Sequence, residues 1–208
     1  QLNKEHLARK YLEDRKIPEE YFRDLYYCEK FKEWTNTQKH TFDTVGKDEP
    51  RIIIPLINEG KIIGFQGRSL QKQSKIKYIT IMLEEDAPKI YGLDKIKKGE
   101  KIYVTEGPFD STFIPNSIAL CGADGDISKW VTGNTVWIYD NEPRNREIVQ
   151  RISNTITRGN SVVIWPKDIQ EKDINDMVLS GLNVQSVIES NIFSGLEAKL
   201  KFSTWKKV

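Results

Sequence analysis

Three acidic groups in this sequence each close a short apolar run. Glu106 follows KIYVT at 101–105, and Asp110 comes four residues later. Asp140 and Glu142 end NTVWIYD at 134–140, while Asp173, Asn175 and Asp176 come a few residues after SVVIW at 161–165. Carboxylates brought close together repel one another and raise each other's pKa unless a cation neutralises them. Hard divalent cations suit oxygen donors, and Mg²⁺ in particular takes one or two carboxylates and fills the rest of its shell with water and substrate phosphates. Residues 140 and 142, spaced i and i+2 as a strand ends, can turn toward one site. Two cations there would clamp the attacking and leaving oxygens of an in-line phosphoryl transfer. Each acid also has a plain structural reading. Glu106 can be a first-turn acid, Asp140 a cap for the helix that Pro143 begins, and Asp173 a cap for 174–181. Three in order, each after a strand, favour the metal site.

A second group is basic. Between 68 and 77 stand Arg68, Lys72, Lys75 and Lys77 with no acid among them, and Arg51, Lys61 and Tyr78 lie nearby in sequence. That is the composition of a segment touching phosphates, or of a solvated loop. Phe65 and Tyr78 have faces on which bases stack, although a core role is the favoured reading for both. Gly64 and Gly67 either let backbone approach a ligand or mark bends near strand ends. His6 and His40 read as surface residues and the five tryptophans as core or interface fillers. Cys28 and Cys121 have neither metal spacing nor a disulfide pattern, and suit a reduced setting.

Chemistry at strand ends requires strands that converge. The runs at 101–105, 117–120, 134–140 and 161–165 alternate with helical patterns at 108–115, 126–131 and 143–158, the grammar of βαβ units in a mostly parallel sheet. Ligands of open parallel sheets sit outside the carboxyl ends of the strands. Upstream, 3–15 reads as an amphipathic helix, Pro18 opens another, and 28–50 is irregular. Strands at 51–57 and 61–66 form a hairpin through Asn58-Glu59-Gly60, and 77–82 is a further short strand. Two or three short helices fill 173–202. The expectation is an α/β chain in three parts: a small mixed α+β unit at 1–99, a sheet-and-helix unit at 100–180, and a short helical segment at 181–208.

Charge follows the same division. The net charge of +2 conceals eleven basic against seven acidic residues at 47–99, twelve acidic against eight basic at 100–180, and four lysines against one glutamate at 195–208. Basic flanks around an acidic centre suit a protein that holds a polyanion near bound cations. With 38% hydrophobic and 30% charged residues, 208 residues are enough for a sizeable core, and disorder throughout is excluded. No apolar run is long enough to span a membrane, and no P-loop of helicase motors occurs. The chain begins at Gln1, from which an omitted upstream domain is expected.

The motifs together resemble those of bacterial- and bacteriophage-type DNA primases, with the spelling of a T-even-type phage member. VTEGPFD (104–110) resembles the first motif of the TOPRIM fold, and IYDNE (138–142) resembles its Asp-x-Asp motif with Glu142 in second place. KDIND (172–176) resembles the acidic third motif, its second Asp appearing as Asn175 or shifted to Asp176. RIIIPLINEGKIIGFQGR (51–68), Lys77-Tyr78 and Tyr91-Gly92-Leu93 resemble the stretches that precede TOPRIM in primases, and 10–25 resembles the opening helices of that core. The resemblance covers 5–180. It implies a primase catalytic core joining ribonucleotides on single-stranded DNA. Glu106, Asp140, Glu142 and Asp173 would bind Mg²⁺ or Mn²⁺, with Asp110, Asn175 and Asp176 as secondary ligands. Arg68, Lys77, and Lys61 or Tyr78 would hold template or incoming nucleotide. It further implies an RNA primer/DNA hybrid as product, a replicative helicase as partner, and zinc only in a separate upstream domain. The setting would be the cytoplasm, the host's if the protein is viral. A TOPRIM-type nuclease and a non-catalytic nucleic-acid-binding scaffold are the alternatives.

Overall fold

The run RIIIPL at 51–56 is buried on both faces, as a near-continuous apolar run between two layers must be. It lies in β2 (Arg51–Asn58), which pairs antiparallel with β1 (Tyr26–Cys28) on one side and β3 (Lys61–Ser69) on the other; β4 (Tyr78–Met82) pairs with β3. Pro55 lies beyond the last β1 pairing, at Ile53, so its missing N–H falls where β2 has only β3 as a strand neighbour. Glu59 and Gly60 turn the hairpin with φ of 51° and 73°, and both of their N–H groups donate to the Asp94 carboxylate at 2.8 and 2.7 Å. A Cβ on Gly67 would fall 2.4 Å from the Phe31 ring and one on Gly64 2.6 Å from the Ile81 carbonyl. These glycines therefore permit close core packing; ligand approach is not what requires them.

The computed structural model describes residues 3–122 and 127–208. Among these, the strands form two sheets. The second has the order β10-β9-β8-β6-β7-β5. Its centre is parallel: β6 (Ile102–Thr105), β7 (Ser117–Leu120), β8 (Thr135–Trp137) and β9 (Ser161–Val163). Its edges, β5 (Ile90–Tyr91) and β10 (Ile192–Phe193), are antiparallel. The edges come from outside 100–180. The helix of α4 (Arg146–Thr157) and that of α7 (Gly195–Trp205) cover one face through Ile148, Ile152, Ile156, Ala198, Phe202 and Trp205. The other face is covered by α5 (Ile174–Leu179) and α6 (Val184–Glu189). Between the sheets, α1 (Leu7–Asp14) and α3 (Pro108–Ser111) share a cluster joining Leu12, Ile54, Phe109 and Ala119.

Three local readings change. Residues 28–50 are not wholly irregular: β1 ends at Cys28, and α2 (Phe31–Gln38) packs the fully buried Phe31 against Phe65. The helix at Pro18 is a 3-10 turn, Glu19–Asp24. The C-terminal segment, read as helical, contains β10, which pairs with β9. Residue 126, the start of the helical pattern at 126–131, lies outside the described residues; Ile127 to Val131 form one hydrogen-bonded turn.

Candidate active site

Glu106 leaves β6 at the carboxyl end of the sheet, and Gly107, not Glu106, caps α3. Its Oε2 accepts from the Asp140 N–H at 3.0 Å and its Oε1 from Arg151 Nη1 at 2.9 Å. Burial raises the Glu106 carboxyl above its ordinary range, against the backbone hydrogen bond and Arg151, which pull it down. Asp140 follows β8 and is not the cap of α4, a role taken by Asn145. Burial, then the neighbouring Glu106 charge, pushes Asp140 up to about 7. Asp110, on the first turn of α3, is pushed up to about 8 by burial and by Asp173 and Asp140, although it accepts from the Asn175 N–H at 3.1 Å.

The third group divides by role. Asp173 caps α5, accepting from the Asp176 N–H at 2.8 Å, so its structural reading holds while it also faces the cavity. Asn175 is buried, with its carboxamide taken by Arg15: Oδ1 accepts from Arg15 Nη1 at 2.6 Å and Nδ2 donates to the Arg15 carbonyl at 2.7 Å. It ties the end of the first helix to α5 with both polar groups engaged. Asp176 is exposed and does not line the cavity. Glu142 stands beside the cavity, its Oε2 3.3 Å from Lys172 Nζ, which is also 3.7 Å from Asp140 Oδ2.

The cavity, about 430 Å³, brings Glu106, Asp110, Asp140 and Asp173 together with Arg15, Arg68, Lys77 and Tyr78. The first sheet thus presents its basic residues to the strand ends of the second. Arg68 stacks over the Tyr78 ring at 4.5 Å, and its Nε is buried without a hydrogen-bond partner among the described residues. Burial raises the Tyr78 hydroxyl. Lys77 Nζ donates to the carbonyls of Gln71 and Lys72.

The other basic residues lie elsewhere. Arg51 is 3% exposed; its guanidinium pairs with Glu49 and donates to the carbonyls of Gly67, Ile76 and Lys77, so it braces the 70–77 connection instead of facing phosphate. Lys72 and Lys75 are exposed on that connection, outside the cavity lining. Lys61 starts β3 seven residues before Arg68, about 23 Å away along the strand, and does not line the cavity either. Among the described residues no three acidic, histidine or cysteine side chains form a ready-made cage for a metal. Side-chain cations stand among the acids instead. Arg15, Arg151, Lys172 and Gln66 were not singled out from the sequence; Arg151 carries only a faint signal, four residues after Glu147 on a helix.

No family model matches the chain. Over 214 aligned residues it is 36% identical to the DNA primase of Enterobacteria phage T4, an alignment that takes in 100% of this chain and 62% of that protein. Over its whole length this chain is similar to a phage DNA primase. It spans less than two thirds of that relative's length. The fold agrees. The Escherichia coli primase catalytic core superposes with a TM-score of 0.67 at 19% identity, covering 95% of this chain and 76% of that one. The zinc-binding and RNA polymerase domains of the Aquifex aeolicus primase give 0.65 at 21%, covering 91% and 57%. The RNA polymerase domain of the Mycobacterium tuberculosis primase, in complex with a double-stranded DNA oligomer with a 6-nucleotide overhang, gives 0.67 at 17%, covering 95% and 77%. The resemblance and the α/β architecture read from the sequence are both borne out: the chain has the fold of the primase catalytic cores. Among the described residues no helix is long and apolar enough to cross a membrane.

Proposed function

We propose that this chain is the catalytic core of a DNA primase, joining ribonucleoside triphosphates on a single-stranded DNA template into short RNA. The observation that carries the reading is the shared cavity, in which carboxyl groups from the ends of β6 and β8, from α3 and from the cap of α5 face Arg15, Arg68 and Lys77. Templated nucleotide addition needs both at once: acids to hold divalent ions and bases to hold the phosphates of template and nucleotide. Residues 1–99 supply the wall that grips phosphates, 100–180 supply the acids, and 181–208 complete the second sheet and cover its core.

The residues suit divalent cations. All the donors are hard oxygens, burial and mutual repulsion raise Asp110 and Asp140, and cationic side chains are already drawn to Glu106, Asp140 and Glu142. Glu106, Asp140, Glu142 and Asp173 would hold Mg²⁺ or Mn²⁺, with Asp110 behind them. The ions would be shared with substrate phosphates, as the lack of a complete cage among the described residues suggests. Such ions neutralise the charge that develops on the transferring phosphoryl group.

The protein groups position the reactants. Arg68 and Lys77 hold the phosphates of template or nucleotide, and Arg15 draws the same polyanion from the first helix. Tyr78 keeps the Arg68 guanidinium flat against its ring, so the fork stays aimed. The Glu106 carboxylate, fixed by the Asp140 N–H and Arg151, cannot rotate away from the strand end. Catalysis is then positioning and charge neutralisation, with no covalent enzyme intermediate. The DNA-bound M. tuberculosis core supports a nucleic-acid partner. The remaining partners of the reading are an RNA primer/DNA hybrid, a replicative helicase and an upstream zinc-binding domain, in a host cytoplasm.

The test is extension of a short RNA primer annealed to single-stranded DNA, with labelled ribonucleotides and Mg²⁺ or Mn²⁺. The annealed primer bypasses initiation. Extension that requires both template and divalent ion is expected; degraded DNA would instead identify a nuclease, and bound, intact DNA with no extension a scaffold.

A further inference from the structure

The cavity is lined by four basic side chains, Arg15, Arg68, Lys77 and Lys172, and by four carboxyl groups, so side-chain cations already stand where divalent ions and nucleotide would enter. Three of the cations come from the first helix and the first sheet. Lys172 alone rises from the acid side, on the connection between β9 and α5. Its backbone is pinned: the Asn141 N–H donates to the Lys172 carbonyl at 2.6 Å, and Asn141 Nδ2 donates to the carbonyls of Ile169 and Glu171 at 3.0 and 3.1 Å. Its side chain is free by comparison. The ammonium lies 3.3 Å from Glu142 and 3.7 Å from Asp140, with 55% of the side chain exposed. Arg151, at 2.9 Å from Glu106 and 27% exposed, is held far more tightly.

We propose that Lys172 is an exchange cation: it neutralises Asp140 and Glu142 in the metal-free chain and passes to the triphosphate of the incoming ribonucleotide once divalent ions take those carboxylates. The inference rests on the primase reading. The geometry favours exchange over a fixed ion pair because the anchor is rigid and the tether long: a lysine stem reaches two positions from one backbone site. Divalent ions entering a cavity already lined by four basic side chains add to its positive charge, and the ligand that offsets it is a polyanion lined up with those ions. A displaced ammonium among the same acids is then free to donate to that polyanion. Lys172 is on this account a positioning residue, coupling ion binding to nucleotide binding.

Titration calorimetry with Mn²⁺ alone, then with ATP at saturating Mn²⁺, tests this on the full chain and on Lys172→Met and Lys172→Arg. Removing a competing cation held by one or two exposed ion pairs is expected to tighten Mn²⁺ binding roughly 3- to 10-fold in Lys172→Met. Losing a charge-assisted phosphate contact is expected to weaken ATP binding about 10-fold in the same variant. Lys172→Arg is expected to stay near the wild type in both. A purely structural lysine would not move the two constants in opposite directions. Unchanged constants in a folded Lys172→Met, or weaker Mn²⁺ binding, would overturn the exchange while leaving primer extension by the wild type, and so the primase reading, standing. A wild type that binds no Mn²⁺ would overturn both.

Discussion

Replacing Asp110 by asparagine should stabilise the metal-free protein at alkaline pH, a reversal of what removing a buried charged partner usually does. In the folded chain Asp110 keeps its proton up to about pH 8, whereas its ordinary value is 3.8. Between those values the folded state binds a proton that the unfolded state has released, so stability falls as pH rises through the window. A fully closed carboxyl would lose about 6 kcal/mol across that span, at about 1.4 kcal/mol per pH unit. Asp110 is half-buried and opens on the cavity, so water relieves part of the cost. A loss of about 2–3 kcal/mol by pH 8 is expected, or about 5–10 °C in melting temperature for a chain of this size. The asparagine carboxamide would keep an acceptor for the Asn175 N–H while never ionising. In thermal melts with chelator from pH 5 to 8.5, the wild type should lose stability with pH. Asp110→Asn should match it near pH 5 and exceed it at pH 8, and Mn²⁺ should restore the wild type at pH 8. A variant less stable than the wild type at every pH would refute the reasoning, because the carboxylate would then be contributing stability in its charged form.

Other expectations follow from where the side chains lie. Arg68→Ala or Lys77→Ala should weaken template or nucleotide binding with the fold intact and reduce the salt dependence of DNA binding by about one ion each, read from affinity against salt concentration; an unchanged slope would remove them from the phosphate wall. Arg51→Met should act on stability instead, lowering it by roughly 2–3 kcal/mol because three carbonyls and Glu49 lose their donor, with little effect on DNA affinity once folded. Asn175→Ala, which cuts both bonds to Arg15, should cost about 1–3 kcal/mol and raise the KM for nucleotide more than it lowers kcat. If that variant lost kcat alone, Asn175 would belong to the chemistry and not to the scaffold.

The sheet at 100–180 was legible because each buried parallel strand is a continuous apolar run, and an acid at its end marks where the run meets solvent. The hairpin was legible for the same reason, with Asn58-Glu59-Gly60 giving the turn. What escaped depends on contacts distant in sequence. Phe31 makes α2 a helix by seating against Phe65, and β10 is a two-residue strand that exists only because β9 offers it an edge. The same limit applies within the site. Arg51 and Arg68 look alike in sequence, yet pairing within the first sheet turns one inward to three carbonyls and the other to the cavity. Asn175 reads as a weakened ligand until Arg15, 160 residues away, is seen to occupy it. Lys172 sits inside a motif read for its acids, and only the distances to Asp140 and Glu142 give it a role.

The central claim is that the acids at the ends of β6 and β8 and at the cap of α5 carry out divalent-ion-dependent nucleotide addition in this cavity. The most direct measurement is primer extension by the wild type, Glu106→Gln and Asp140→Asn side by side across a Mn²⁺ titration, with melting temperatures taken for each. The account predicts extension by the wild type that rises with Mn²⁺, and none by either variant at any Mn²⁺ concentration, although both remain folded. Wild-type rates of extension in either folded variant would contradict it.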